Sequence, residues 1–263
     1  MTELATATLE TDLDGALELG ARALAWTETH GRTLLASASF TAQALVLGSL
    51  QREDTLRARS SARFDGRVVR RLSTGTEAEL DGAVLYHALT LPRVDALFSD
   101  ASARTLLNRN LRALLRGYTA AGVPFRYFGT EVLAVLGHPV ALIGYDQTAS
   151  GAVLIEVLVG LESACVVRPA LRREPPAALY QLLRRSPPAH EFLLTAVAGI
   201  VDKLGSSAVD VASSLSASVV DRQPLLADSS DAAASAVASV AVPLGVVEAA
   251  IAPIPRISGD LLI

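Results

Sequence analysis

The chain has 263 residues, of which 51% are hydrophobic and 19% are charged, and a chain of this length and composition can bury a large core. The formal net charge of -4 and the spread of the arginines along the chain provide no basic field for phosphates, so we expect no nucleic-acid partner. Cys165 is the only cysteine and Lys203 the only lysine. A single cysteine excludes internal disulfides and metal sites built from cysteine pairs, so we expect no metal. This cysteine content is typical of a protein in a reducing cytoplasm.

The hydropathy pattern does not indicate a membrane or exported protein. Residues 1–14 include acidic residues and lack the apolar core of a secretory signal. Long apolar runs such as residues 152–161 are interrupted by Glu156 and fall short of the roughly 20 residues that a spanning helix needs. We therefore expect a cytoplasmic protein with no membrane partner.

The first predicted element is a helix. Asp12 or Asp14 is placed to cap it, apolar residues recur at helical spacing up to about residue 29, and His30-Gly31 provides its end. We expect one face of this helix to pack on a sheet.

Two pairs of strands are predicted next. Residues 33–40 and 43–47 are β-compatible apolar stretches, and Gly48 ends the second one. Residues 67–72 and 83–91 predict two further strands. The Thr/Gly/Glu-rich residues 73–82 between them predict a polar loop that faces a ligand or solvent.

The second half of the chain begins with a helix and continues with a meander. Residues 100–121 carry leucines at helical spacing, and Gly122 and Pro124 stop the helix. Three apolar segments separated by turns then predict antiparallel strands at residues 125–136, 140–145 and 152–161. Alanine-rich helical segments follow Pro175-Pro176, and after them come a polar patch at residues 228–231 and a β-like tail at residues 236–263.

Four sequence blocks occur in an order that suggests a known family. They are Ala44-Leu-Val-Leu-Gly48 with Gln51 after it, Val68-Val-Arg-Arg-Leu-Ser-Thr-Gly75, Gly137-His-Pro-Val-Ala-Leu142 within a run of strands over residues 127–160, and Pro255-Arg-Ile-Ser-Gly-Asp-Leu-Leu262. Together they resemble the lipoate and biotin protein ligases, which activate a short acyl cofactor as its adenylate and pass it to a carrier lysine. The second block resembles the family's Arg-Arg-x-Ser/Thr-Gly-Gly loop and is the most specific match.

The resemblance implies a fold, a domain layout and ligands. The implied fold is α+β, with a mixed, mostly antiparallel sheet backed by helices and a small C-terminal lobe. We place the ligase-like domain at residues 1–185 and the accessory region at residues 186–263. Lipoate, octanoate or biotin, together with ATP, would be the small ligands, and a lipoyl or biotinyl carrier domain would be the partner.

The chain departs from the family where the chemistry is concentrated. Pro139 stands at the position of the family's lysine, and a proline offers neither charge nor donor. The predicted loop continues with Glu77, Glu79 and Asp81, whose carboxylates would repel an adenylate phosphate. Lys203 lies in a predicted helical region and does not align with the missing lysine.

Seven residues are candidates for the site. By resemblance the ligand-binding set is Arg71, Ser73, Thr74 and Gly75, and His87, a lone histidine within a predicted strand, is added to it. The weak catalytic candidates are His138 and Cys165. Four of them have a purely structural alternative: Arg71 as a salt-bridged surface arginine, His87 as a packed strand histidine, His138 as a solvated turn histidine and Cys165 as a small buried cysteine.

Two glutamates interrupt apolar strands. Glu131 and Glu156 must be paired or exposed if they are ionised, so each either marks a polar pocket wall or lies at a strand edge.

Three functions are compatible with these features. The first is a non-ligating relative that binds an acyl cofactor or a carrier domain. The second is an active lipoyl, octanoyl or biotinyl transferase that uses Arg71, Arg126 or His138 in place of the lysine. The third is a structural subunit whose alanine-rich C-terminal segments pack on another chain. We rank the non-ligating relative first and leave open whether the chain is an enzyme.

Overall fold

A computed structural model describes residues 4–52, 67–129, 131–166, 174–204 and 208–217. The strands are β1 (Leu4–Glu10), β2 (Thr33–Leu47), β3 (Arg67–Arg70), β4 (Ala78–Leu91), β5 (Arg126–Tyr127), β6 (Val132–Val135), β7 (His138–Gln147), β8 (Val153–Gly160) and β9 (Ala208–Asp210). The helices are α1 (Leu13–His30), α2 (Leu106–Ala120), α3 (Leu179–Leu183), α4 (Ala189–Leu204) and α5 (Ala212–Ala217), with a short 3-10 turn at Ala103–Thr105 before α2.

All these strands belong to one sheet. Its order is β5-β6-β7-β8-β4-β2-β1-β9, and β3 pairs with the end of β2 beside that path. The pairs from β5 to β2 are antiparallel, whereas β1 runs parallel to both β2 and β9, and β3 runs parallel to β2. The predicted mixed, mostly antiparallel sheet with an α+β architecture is confirmed.

Helices cover both faces of this sheet because side chains alternate along each strand. In β4, Tyr86 and Ala88 pack in the core under α1, whereas Leu85 and Leu89 pack in the core under α2 and α4. We refer to these two sides as the α1 face and the α2 face.

The helix ends follow their capping signals. Asp12 accepts a hydrogen bond from Gly15 N at 2.8 Å, and Gly31 ends α1 in the left-handed conformation with φ of 63°. The predicted first helix and its stop are confirmed, and Gly122 follows the end of α2 with φ of 84°.

Helix α4 lies within the main compact unit. A Cβ atom on Gly117 of α2 would lie 2.5 Å from the backbone nitrogen of Ile200 in α4, so the two helices approach backbone to backbone. Phe192 and Leu193 of α4 are buried in the core of the α2 face. The compact unit that contains α4 extends over Met1–Val220, and the domain boundary that we place after residue 185 stays a prediction.

Several predicted boundaries shift in the structure. The strands expected at residues 33–40 and 43–47 are one continuous strand, because β4 pairs with β2 from Leu34↔Thr90 through to Val46↔Ala78. The loop expected at residues 73–82 is shorter for the same reason, since β4 already begins at Ala78. The strand expected at residues 125–136 is divided into β5 and β6.

Three segments singled out in the sequence are not described by the structure. The polar patch at residues 228–231, the tail at residues 236–263 and the closing block that begins at Pro255 lie outside the described residues. Among the helices of the described ranges, none has the length and apolar character that crossing a membrane requires.

Candidate functional site

The 71–77 loop, which joins β3 to β4, lies directly on the α1 face of the sheet. Gly144 of β7 and Glu156 of β8 are paired across the strands beneath it. A Cβ atom on Gly144 would lie 2.1 Å from Ser73 Oγ and 2.4 Å from Thr74 O. The loop can therefore reach the sheet only because residue 144 has no side chain.

The 71–77 loop also approaches the end of β2 closely at a glycine. A Cβ atom on Gly48 would lie 2.2 Å from the carbonyl oxygen of Gly75, and Gly75 itself has φ of 112°. The backbone N–H of Ser49 donates to Ser73 O at 2.9 Å. Glycines at 48, 75 and 144 thus permit a closely seated loop, as the sequence predicts for Gly75 alone.

The backbone N–H groups of the loop already have acceptors from the chain itself. Ser73 N donates to Glu156 Oε2 at 2.9 Å, and Thr76 N donates to Glu131 Oε2 at 2.8 Å. Thr74 N donates to Tyr145 O at 3.1 Å. A phosphate that needed these donors would have to displace two carboxylates and a carbonyl.

Glu156 is fully buried, and both of its oxygens are hydrogen-bonded. Tyr86 donates its hydroxyl to Glu156 Oε1, while Oε2 accepts from the loop. Gly20 of α1 makes room for this contact, since a Cβ atom there would lie 2.2 Å from the Tyr86 hydroxyl. Burial, and secondly Glu156, raises the pKa of Tyr86 well above its ordinary value, so the phenol remains a donor.

Arg71 is the cation of this site. Its side chain is 2% exposed, and Nη2 donates to Thr74 O and Thr76 O at 3.0 Å each. Burial lowers the pKa of Arg71, and the nearby Glu156 and Glu131 oppose that shift. In the part of the chain that the structure describes, Nε and Nη1 of Arg71 and Oγ of Ser73 are buried without a hydrogen-bond partner. These atoms are the unused donors of the site.

Neighbouring Arg70 has a different environment. It is exposed, and its Nη1 donates to the carbonyl oxygens of Gly48 at 2.8 Å and Ser49 at 3.2 Å. The alternation of strand side chains separates the two arginines as the sequence predicts, with Arg71 inside. Whether Arg71 contacts a ligand stays a prediction.

Two carboxyl groups lie close to the Arg71 guanidinium. Glu156 and Glu131 both affect its pKa, and each also anchors a backbone N–H group of the loop. A third carboxyl group, that of the nearly buried Glu77, accepts from Gln51 Nε2, while Gln51 Oε1 accepts from Gly48 N at 2.9 Å.

The lysine position of the resemblance holds no positive charge. Pro139 is buried in β7, and its carbonyl oxygen accepts from Ala177 N at 3.0 Å. His138 Nδ1 lies 2.9 Å from Pro175 O, and its Nε2 lies 4.0 Å from Glu174 Oε2. His138 precedes Gly144 by six residues of an extended strand, or about 20 Å, so the structure does not bring it to the 71–77 loop.

His87 lies on the opposite face of the sheet from the loop. Its Nδ1 is 2.8 Å from Ser37 Oγ, and its Nε2 is 2.6 Å from the Tyr118 hydroxyl of α2. Burial lowers the pKa of His87 to about 3, so the ring is neutral at pH 7. This geometry fits the packing alternative and gives no support to a ligand contact.

Cys165 is also enclosed. Its thiol donates to Val140 O at 3.4 Å, and burial raises its pKa to about 11. A nucleophilic cysteine needs a populated thiolate with access to its substrate, so this environment does not favour the catalytic role. Lys203 lies at the end of α4, where it pairs with Asp202.

The contribution of Tyr86, Gly20 and Gly144 is not apparent in the sequence. A tyrosine or glycine within a strand or helix carries no local signal, because their role arises from contacts between distant elements. Glu131 and Glu156 did carry a signal, as charged residues within apolar strands, and both prove to be loop anchors. Among the described residues, no group of histidine, cysteine and acidic side chains has the arrangement to hold a metal ion.

No protein-family model matches the sequence, and no curated protein matches it at a significant level. Solved structures do match the fold. One is an archaeal bipartite lipoate protein ligase from Thermoplasma acidophilum, solved in a study of it and its E2 lipoyl domain, with a TM-score of 0.58, 13% identity, and coverage of 82% of this chain and 91% of that one.

Two further structures agree with it. Lipoate–protein ligase A bound with ATP has a TM-score of 0.59 and 13% identity over 81% of this chain and 92% of its own. P. falciparum LipL1 in complex with lipoate has a TM-score of 0.54 and 7% identity over 81% of this chain and 66% of its own. At these identities the likeness establishes the fold.

Proposed function

We propose that this chain, which has the fold of the lipoate–protein ligases, is a non-ligating relative that binds an acyl cofactor or the carrier domain that bears it. The archaeal neighbour, studied with its E2 lipoyl domain, supports a carrier domain as the partner class. The cytoplasmic location expected from the single cysteine is part of this proposal.

The observation that carries the proposal is the use of the loop's backbone donors. Glu156 and Glu131 occupy the N–H groups of Ser73 and Thr76, which a phosphate-binding loop would leave free. The residues of this site do not fit an adenylate.

The residue at the lysine position supports the same conclusion. Pro139 supplies no charge, and its carbonyl oxygen is engaged by Ala177. A reaction that develops negative charge on an acyl-phosphate would have no aligned cation to stabilise it.

The test is to incubate the full chain with a lipoyl-type carrier domain, ATP and each of lipoate, octanoate and biotin, and to weigh the carrier by mass spectrometry. We expect binding of an acyl compound or of the carrier in a parallel titration, and no gain in carrier mass. A carrier mass gain that depends on this chain would overturn the non-ligating assignment.

Arg71 favours a second candidate function, an active acyl transferase. Its unused Nε and Nη1 are donors of the kind that stabilise a reacting carbonyl, and this side chain is buried where water is excluded. In that case Arg71→Lys, which keeps the charge but loses the planar fork, should reduce carrier modification strongly. If modification is observed and the variant retains it, Arg71 is not the replacement for the lysine.

A further inference from the structure

Three buried polar side-chain atoms of the 71–77 loop determine which ligand groups the site can bind. They are Arg71 Nε, Arg71 Nη1 and Ser73 Oγ, and among the described residues they have no hydrogen-bond partner. Arg71 is 2% exposed and Ser73 is fully buried. Guanidinium N–H groups can only donate, and a serine hydroxyl can donate as well. The set therefore matches an oxygen that accepts hydrogen bonds.

The charge around these atoms restricts that oxygen further. Glu77, Glu131 and Glu156 surround the loop, and the last two lie close enough to Arg71 to affect its pKa. A carboxylate or phosphate placed on Arg71 would add a third negative group beside Glu131 and Glu156 in this poorly solvated region, where like charges repel strongly. A neutral carbonyl oxygen accepts the same hydrogen bonds and adds no charge.

We propose that the unused donors of Arg71 and Ser73 bind the neutral carbonyl of an acyl amide, such as the link between an acyl group and a carrier lysine. Glu156 disfavours the free acid by its charge and is a specificity-determining residue. This inference rests on the proposed function, because it takes the acyl group to bind at the loop. The site would then recognise the product of a ligase and not its substrate.

Binding has a conformational requirement. The donor atoms are side-chain atoms of the loop itself, and they are buried where the loop contacts the sheet at Gly144 and β2 at Gly48. A ligand therefore reaches them only when the loop lifts away from these two glycines.

The experiment compares two ligands that share one acyl chain and differ in charge. The full-length protein is titrated by calorimetry with octanamide and with octanoate at pH 7. We expect octanamide to bind at least about tenfold more tightly, which corresponds to about 1.4 kcal/mol. Equal or tighter binding of octanoate would overturn the proposal.

Variants at Glu156 test the cause of the preference. In Glu156→Gln the amide oxygen can accept from Ser73 N while its NH2 group donates to the Tyr86 hydroxyl, so the anchor is retained without its charge. We expect octanoate to gain roughly tenfold in affinity and octanamide to change little. Glu156→Asp, which restores the charge, should restore the preference for octanamide.

Glu10→Gln is the matched control, because Glu10 is exposed at the end of β1 and outside the loop. It should keep the preference of the unmodified protein. If Glu156→Gln does not fold, the comparison uses Glu131→Gln in its place, because this variant removes the charge of the other carboxylate that anchors the loop. A folded variant with an unchanged preference contradicts the role of these charges.

The failure of this inference is distinguishable from that of the proposed function. If neither octanoyl probe binds while the carrier domain does, the inference is overturned and a carrier-binding function stands. If neither probes nor carrier nor lipoate nor biotin bind, both are overturned.

Discussion

Glu156 shows how a single buried residue can decide the properties of a site. An ionised carboxylate in the interior is tolerated only when its oxygens are hydrogen-bonded or paired with a charge. Here Tyr86 and Ser73 N supply the hydrogen bonds, and Arg71 lies close enough for its charge and that of Glu156 to interact. Each partner comes from a different part of the chain, so the tolerance depends on tertiary structure alone.

The hydrogen bond from Tyr86 should contribute measurably to stability. Tyr86→Phe leaves one oxygen of buried Glu156 without its donor, and we expect a loss of about 1–3 kcal/mol in the free energy of unfolding. Urea denaturation measures the loss. Tyr145→Phe is the control, because Tyr145 is 43% exposed and water can hydrogen-bond to its hydroxyl. This variant should change the free energy of unfolding by less than about 0.5 kcal/mol. Similar effects of the two variants would contradict the anchoring role of Tyr86.

His87 predicts a pH dependence. Burial lowers the pKa of this histidine from 6.5 to about 3, so the unfolded chain takes up a proton as pH falls through 6.5 while the folded chain does not. The stability that neutral His87 provides is therefore fully present above pH 6.5 and is lost as pH falls toward 3, by up to about 1.4 kcal/mol per pH unit.

The measurement is urea denaturation at pH 7 and pH 5 for the unmodified chain and for His87→Gln. The variant should show a smaller difference between the two pH values. His30→Gln, at the exposed end of α1, should keep the difference of the unmodified chain. An equal pH effect in all three proteins would show that His87 is not its source.

Part of the site could be predicted from the sequence, for reasons that lie in individual residues. The Arg71 motif is local, and the two glutamates stand out because charges are rare within apolar strands. The separation of His87 from the loop could not be predicted, because it depends on which face of the sheet each residue of β4 occupies. A one-residue change in register would reverse that assignment.

At the scale of elements, local signals set helix ends better than strand ends. Asp12 and Gly31 fix α1 through contacts with their own helix, and their positions agree with the sequence. Thr41 and Ala42 fall between the two predicted strands, yet they belong to β2 because β4 pairs with them. Strand length is thus determined by a partner that lies far away in the chain.

The cap of α1 should account for a defined part of its stability. Asp12→Ala removes the side chain that accepts from Gly15 N, and we expect a loss of about 1 kcal/mol in the free energy of unfolding. Asp14→Ala serves as a control, since it removes only an exposed ion pair with Arg67 and a favourable charge in the first turn. Thermal and urea denaturation should rank Asp12→Ala as the more damaging. If Asp14→Ala were the more damaging variant, the Asp12 cap would not be the larger contribution to the stability of α1.

At the scale of the whole molecule, the compact unit includes α4, which lies beyond the boundary that we place after residue 185. The alanine-rich segments beyond Pro175-Pro176 and the resemblance to the ligases predict a separate C-terminal lobe. The structure instead buries Phe192, Leu193 and Ile200 of α4 against α2 and the sheet. The alanine-rich segments after Pro175-Pro176 include a helix, α4, that belongs to the core.

Truncation tests the extent of this unit. A chain that ends after Val220 should keep cooperative unfolding, whereas one that ends after residue 185 loses α4 and exposes its partners on α2. Urea denaturation followed by circular dichroism distinguishes the two, and we expect the shorter chain to be unfolded or to lose several kcal/mol of stability, on the order of a core deletion. Cooperative folding of the shorter chain would support the boundary after residue 185.

The pairing of β9 with β1 has a consequence for synthesis on the ribosome. Leu4 of β1 and its β9 partner Ala208 are separated by more than two hundred residues, so β1 is translated long before β9. Until then one side of β1 has unpaired backbone groups, which can recruit a strand from another nascent chain. We therefore expect the nascent chain to be prone to intermolecular strand pairing through β1 between the synthesis of β1 and that of β9, and chaperones that cover exposed strand edges should bind it in this interval.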